Sequence, residues 1–236
     1  MRPHGAKSAA QTDPIRTAIS DLLKFSLEEQ PREFLETIEL QVSLKNYDPS
    51  KDKRVSGVVR LPFLPRPGIS VLAFVDALHE EQCKKAGIPH MNRDQLRAMN
   101  KSRKLYHKLC AKHDGFLCSS SMIRQLPRLV GPQLSRWGKF PTVLQEHDDL
   151  LAKVADKKAS VRFQLRARRA LAIHAAVANV GMTEDEIALN VEIALHFLIG
   201  LLPKGMLQVK RVHLKSTMGP SLRIYDKYGM MYLGRG

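Results

Sequence analysis

Lys215-Ser216-Thr217-Met218-Gly219-Pro220 places two hydroxyls, a glycine and a proline directly behind a basic, strand-like run. Ser216 and Thr217 offer donors and acceptors, Gly219 lets a second chain come near, and Pro220 restricts that glycine to extended or turn geometry. Such a turn suits polar recognition of a ligand through hydroxyl and backbone groups, and it equally suits an ordinary exit from a strand. Residues 207–215 put Leu207, Val209, Arg211, His213 and Lys215 on one parity and Gln208, Lys210, Val212 and Leu214 on the other. This pattern predicts a strand with one basic, partly exposed face.

Charge defines what the turn would meet. The 236 residues include 38 Lys and Arg against 23 Asp and Glu, a net charge of +15. An excess of this size points to phosphate-rich partners ahead of an anionic membrane surface. It is uneven: +2 over residues 1–66, +6 over 67–157 and +7 over 158–236, so the last third supplies most of the attraction. Arg162 and Arg166 share a strand parity and, facing Lys210, Arg211 and Lys215, would build a positive surface across several strands. A second basic group, Arg124, Arg128, Arg136 and Lys139, surrounds the loop at Gly131-Pro132 and Gly138, where it either touches phosphate or is solvated surface. Aromatic residues make up only 6% of the chain, so stacking platforms for single strands do not dominate.

Other chemistries lack their residues. His79-Glu80-Glu81 resembles part of a zinc-protease motif, but Cys83 stands where the second histidine belongs, leaving a solvated helix face. His107 and His113 have no carboxylate or cysteine at ligand spacing and read as surface residues. Serines 119–121 lack the flanking glycines of a nucleophile elbow. A nucleotide-dependent enzyme would need a glycine fingerprint that Val75-Asp76-Ala77 and Cys118-Ser119-Ser120 do not bring. No enzyme, cofactor or metal is expected. Cys83, Cys110 and Cys118 form no CxxC pair, which suggests neither disulfides nor zinc and fits a reducing compartment. The apolar run 193–202 is broken by His196 and stops at Pro203, short of a membrane span, and residues 1–12 lack the apolar core of a secretory signal.

The elements that must position the turn follow from periodicity. Asp13-Pro14 opens a helix with Ile15, Ala18, Ile19, Leu22 and Leu23 on one face. Residues 34–45 alternate strictly, with Phe34, Ile38, Leu40, Val42 and Leu44 inward, and a polar turn at 46–54 leads to a second strand at 55–61. Three prolines and a glycine in 61–68 then predict a hinge. Beyond it, a buried strand at 69–75, helices at 76–86 and 93–112, a strand at 115–118 and a helix at 119–126 alternate as in a small doubly wound α/β unit. Residues 126–141 read as a punctuated loop and 146–156 as a helix. Strands follow at 161–166 and 171–177. Thr183 with Glu186 caps an apolar helix over 187–202, and 207–215 is the final strand. Strands at both ends around a different α/β unit imply one domain interrupted by another. The division is 1–66 with 158–236, and 67–157.

FLETIELQVSLKNYDPSKDKR (34–54), GPQLSRWGKFP (131–141) and KSTMGP (215–220) resemble the L-one family of large-subunit ribosomal proteins, most closely its eukaryotic cytosolic branch, over nearly all of 31–224. The resemblance implies a two-domain α/β fold: a split α/β sandwich built from both chain ends, carrying an inserted Rossmann-like three-layer domain. It implies a structural constituent of the cytosolic large subunit, monomeric within the ribosome. Such a protein binds large-subunit rRNA and forms the mobile stalk near the tRNA exit site. Its partners would be that rRNA, exit-site tRNA transiently and other ribosomal components, and some relatives also bind their own mRNA. Carried over, the rRNA contacts fall on Phe34, Glu36, Thr37, Ser216, Thr217, Met218 and Gly219, with Arg54, Arg162, Arg166, Lys210 and Lys215 supplying charge. Glu33 departs from the pattern, standing where bacterial relatives carry a lysine.

Overall fold

A computed structural model of the chain describes residues 14–48, 51–52, 54–165 and 171–226. The expected disordered start, the Asp13 cap, Arg166, and the glycine-containing tail lie outside them. By its internal packing the chain divides into two compact units, Met1–Pro65 with Val161–Gly236, and Arg66–Ser160.

In the split unit, α1 (Pro14–Lys24) buries Ala18, Ile19, Leu22 and Leu23, the apolar stripe its spacing predicts. Its end widens into a π-helical turn, Phe25–Glu29, in which Gln30 N–H reaches back to the Phe25 carbonyl at 3.0 Å. β1 (Thr37–Leu44) alternates as expected, with Ile38, Leu40, Val42 and Leu44 buried. Phe34, expected on the same inward face, instead precedes the strand and is 53% exposed. β2 (Ser56–Arg60) follows the polar turn.

The inserted unit contains β3 (Val71–Phe74), α2 (Ala77–Lys85), β4 (His90–Met91), α3 (Arg93–Ala98), α4 (Arg103–Lys112) and β5 (Gly115–Ser119). The helix expected over 93–112 is broken because Asn100 and Lys101 adopt left-handed backbone, with φ of 43° and 56°. After β5 come α5 (Ser120–Ile123), α6 (Leu126–Val130), α7 (Gln133–Arg136), β6 (Thr142–Leu144) and α8 (Leu150–Ala159). The stretch read as a punctuated loop thus holds two short helices. The four strands are parallel in the order β4-β3-β5-β6. Leu72, Phe74, Phe116 and Cys118 pack on one face with residues of α3, α4 and α6. Val71, Ala73 and Leu117 pack on the other with Cys83, Leu150 and Val154. Burial on both faces gives the three-layer, doubly wound arrangement.

Three sequence assignments in this unit change. His79 is buried, with Nδ1 3.4 Å from Ser119 Oγ, and His113 is buried with Nδ1 2.7 Å from Ser70 Oγ; neither is a surface residue. Lys139, one of the phosphate candidates, donates to the Cys110 and His113 carbonyls at 2.7 and 3.0 Å and so satisfies the C-terminus of α4.

The chain returns through β7 (Ser160–Gln164) and β8 (Ala172–Asn179) to α9 (Glu184–Leu201). The predicted capping box is present: Thr183 N–H donates to Glu186 Oε2 at 3.0 Å and Glu186 N–H to Thr183 Oγ at 3.4 Å. A 3-10 turn (Gly205–Gln208) leads to β9 (Val209–Ser216) and β10 (Ser221–Asp226). The antiparallel sheet runs β10-β9-β1-β8, and β2 pairs with β7 in a separate ribbon. A bulge opposite Ser43 and Leu44, which pair with Arg211 and Val209, resets the parity of β9. Val209, Val212 and Leu214 are therefore all buried, whereas uninterrupted alternation sets Val209 apart from Val212 and Leu214.

Candidate nucleic-acid interface

β9 and β10 are joined by the turn at residues 217–220, and the register Ile38 to Ser216 brings that turn against the start of β1. Two threonines close the junction. Thr217 Oγ accepts Thr37 N–H at 3.1 Å and lies 3.2 Å from the Thr37 carbonyl and 3.0 Å from Thr37 Oγ. Each hydroxyl has one proton, so Thr217 donates to the carbonyl while Thr37 donates to Thr217. Thr217 thereby acts as a clasp between residues 180 positions apart in sequence.

Behind this clasp runs a buried polar chain. Gly219 N–H donates to Ser216 Oγ at 3.0 Å, Ser216 Oγ lies 3.1 Å from Ser26 Oγ, and Ser26 Oγ–H donates to Glu36 Oε2 at 3.1 Å. The single Ser26 proton is shared between the Glu36 carboxylate and Ser216 Oγ, both of which face it as acceptors. A Cβ on Gly219 would collide with Ser216 Oγ and sit 3.3 Å from the Phe25 ring. The close approach that requires glycine is therefore made by the chain's own atoms. Met218 is 57% exposed at the tip, and its backbone N–H and C=O make no intramolecular hydrogen bond among the described residues.

The predicted residues divide into two groups. Phe34, Glu36, Thr37, Ser216, Thr217, Met218 and Gly219 are brought together, and Lys215 lies beside them, opposite Glu39 on β1. Lys210 is exposed at the bulge, while Arg211 is held by Asp226 at 3.2 Å. Arg162 is exposed on the β2-β7 ribbon, 3.4 Å from Ser56 Oγ, and Arg54 is exposed just before β2. The expected positive surface from Arg162 across to Lys210 and Lys215 is not one sheet, because these residues belong to two.

Sequence reasoning passed over Ser26, whose signal would have been a serine following a helix's apolar stripe. It also passed over His213, whose Nδ1 is buried without a partner among the described residues. Burial, followed by Arg223 and Arg211, holds its pKa below the ordinary 6.5, while Asp226 acts in the opposite sense. A lowered pKa means that folding favours the neutral ring. The resulting stability is full above about pH 6.5 and is lost as pH falls through the folded value. Thermal melts are expected to show a falling Tm on acidification below that point, with His213→Gln removing part of the fall.

Two α/β units, one assembled from both chain ends and clasped by its last hairpin, define the class. The chain belongs to the Ribosomal protein L1p/L10e family, whose model matches residues 22–220. It is similar to the large ribosomal subunit protein uL1 of Eremothecium gossypii (45% identical over 218 residues), uL1y of Arabidopsis thaliana (44%) and uL1A of Saccharomyces cerevisiae (43%). Each match covers 92% of this chain and 100% of the relative.

Proposed function

We propose that the chain is a structural, non-enzymatic constituent of the large ribosomal subunit that binds large-subunit rRNA through its split unit. The observation that carries this reading is the clasped turn at Thr37 and Thr217, which presents the exposed Met218 and its unpaired backbone groups, with the exposed Phe34 three residues before Thr37. A-form RNA displays 2′-hydroxyls in a wide, shallow minor groove, and rigidly held backbone donors and acceptors suit that shape. Lys210, Lys215, Arg54, Arg162 and Arg166 supply the sequence-independent attraction to phosphate. The full-length coverage of these three uL1 proteins supports the subunit assignment. Among the described residues no helix is long and apolar enough to cross a membrane.

Within this reading the protein acts in cytosolic ribosomes as a single copy. It forms the mobile stalk near the exit site, contacts other ribosomal components, and assists release of deacylated tRNA by transient contact. Co-sedimentation of the full chain with large subunits in moderate salt tests it.

A further inference from the structure

An apolar hollow of about 220 Å³ opens between α1, α9 and the sheet of the split unit. Val42, Leu198 and Val212 form its buried floor, and Ile15, Met206 and Tyr225 stand at its mouth, with Met206 40% exposed. It lies at the opposite end of β9 and β10 from the turn at 217–220. Its lining is almost wholly apolar and includes no charged side chain, which excludes a phosphate or the polar edge of a base. An apolar cavity of about 150 Å³ already takes a benzene-sized group, so this one has room for a large side chain. Atoms around such a gap forgo dispersion contacts on one side, and an apolar occupant restores them.

We propose that the C-terminal segment, residues 227–236, folds back and seats its Met230–Leu233 stretch in this hollow, closing the open end of the split unit's core. Position favours it. Tyr225, at the mouth, is followed by Asp226, whose carboxylate is held by Arg211 at 3.2 Å and Arg223 at 3.1 Å, so the segment departs from a fixed point beside the opening. At about 3.3 Å per residue the four steps from Asp226 to Met230 are ample for a return to the adjoining mouth, and closing so short a loop costs little entropy. Gly229 takes the backbone geometry of a reversal at no steric cost. Composition favours it as well. Tyr228, Met230, Met231, Tyr232 and Leu233 put five large apolar side chains into ten residues, and the unbranched thioether of methionine adapts to an irregular gap. The N-terminal segment also starts at the hollow, since Pro14 lines it, but residues 2–13 contain no apolar side chain larger than that of Pro3. The C-terminal segment begins beyond residue 220, where the family match ends, so its seat is separate from the RNA-facing turn.

The test uses the full chain without RNA. Met206→Cys is combined with Met230→Cys or with Met231→Cys and oxidised at low protein concentration; the three native cysteines are buried, and a disulfide forms only where Cα atoms come within about 4.4–6.8 Å. At least one of the two pairs is expected to close within a single chain, as read by peptide mapping under non-reducing conditions. Met206 is exposed, so its replacement leaves the buried core intact. In parallel, the Met230→Lys, Met231→Lys double variant is expected to melt about 3–8 °C below the wild type, because the apolar seat is lost. Four results overturn the proposal, and each leaves the rRNA reading untouched. The double variant melts within about 1 °C of the wild type. Neither tail pair closes. The bond forms only between chains, which gives the hollow to a second copy. Met206→Cys closes with Ala6→Cys in place of either tail position, which gives the hollow to the N-terminal segment.

Discussion

Replacing Thr217 by valine together with Met218 by aspartate is expected to weaken binding to a large-subunit rRNA fragment about 30-fold or more, at roughly 1–3 kcal/mol for each specific RNA interaction that the turn no longer makes. Valine keeps the shape of Thr217 but cannot accept Thr37 N–H or donate to its carbonyl, so the clasp that orients the turn is released. Aspartate places a like charge at the exposed tip, where a phosphate-bearing partner approaches. The junction is exposed to water, which can satisfy the freed backbone groups, so stability should change far less than affinity. Titrations of both proteins at one salt concentration, alongside their melting curves, measure the two effects separately. Equal affinities would remove the turn from the interface.

Asn190→Ala is expected to destabilise the split unit by about 3 kcal/mol or more, because three hydrogen bonds at a buried position disappear. Asn190 is fully buried in α9; its Nδ2 donates to the Val177 and Phe63 carbonyls at 2.9 and 3.1 Å, and its Oδ1 accepts Phe63 N–H at 3.3 Å. Alanine leaves these groups without partners. Thermal unfolding should show a drop of about 6–12 °C, taking ~2–4 °C per kcal/mol for a chain of this size. A drop of under about 2 °C would mean that water replaces the amide. Asn190 and Asn179 together tie the proline-rich segment to the β8–α9 corner, since Asn179 Nδ2 donates to the Pro65 carbonyl at 3.4 Å.

Where periodicity is local and uninterrupted, the sequence is readable. α1, β1 and α9 declare themselves through 3.6-residue or two-residue spacing, and the Thr183 capping box marks the start of α9. β9 is misread in parity because its bulge is set by the partner strand, opposite Ser43 and Leu44. β10 is not anticipated at all. Its inward positions are Leu222, Ile224 and Asp226, and an alternation that ends on a carboxylate resembles a strand's end until Arg211 and Arg223 are seen to pair with it. The break between α3 and α4 rests on a lysine in left-handed backbone, which no composition rule announces.

The site is legible as two motifs but not as a mechanism. The string at 215–220 and the strand beginning at Thr37 can be marked from sequence. Nothing local reveals that Thr217 spends its hydroxyl on Thr37, that Gly219 makes room for Ser216 and Phe25, or that Ser26 reaches Glu36. Those relations depend on a π-helical turn and a hairpin meeting across 190 residues. What the turn offers a partner is consequently narrower than its composition suggests. Met218 and its backbone are available, while Thr217 and Ser216 are occupied in holding them in place.

Sedimentation of the full chain with purified large ribosomal subunits in moderate salt tests most directly whether this protein is a subunit constituent held through its clasped turn. The chain is expected to travel with the subunit in near-stoichiometric amount, and the Thr217→Val, Met218→Asp double variant to remain largely unbound. A chain that stays in the supernatant while the subunits pellet intact would contradict that assignment.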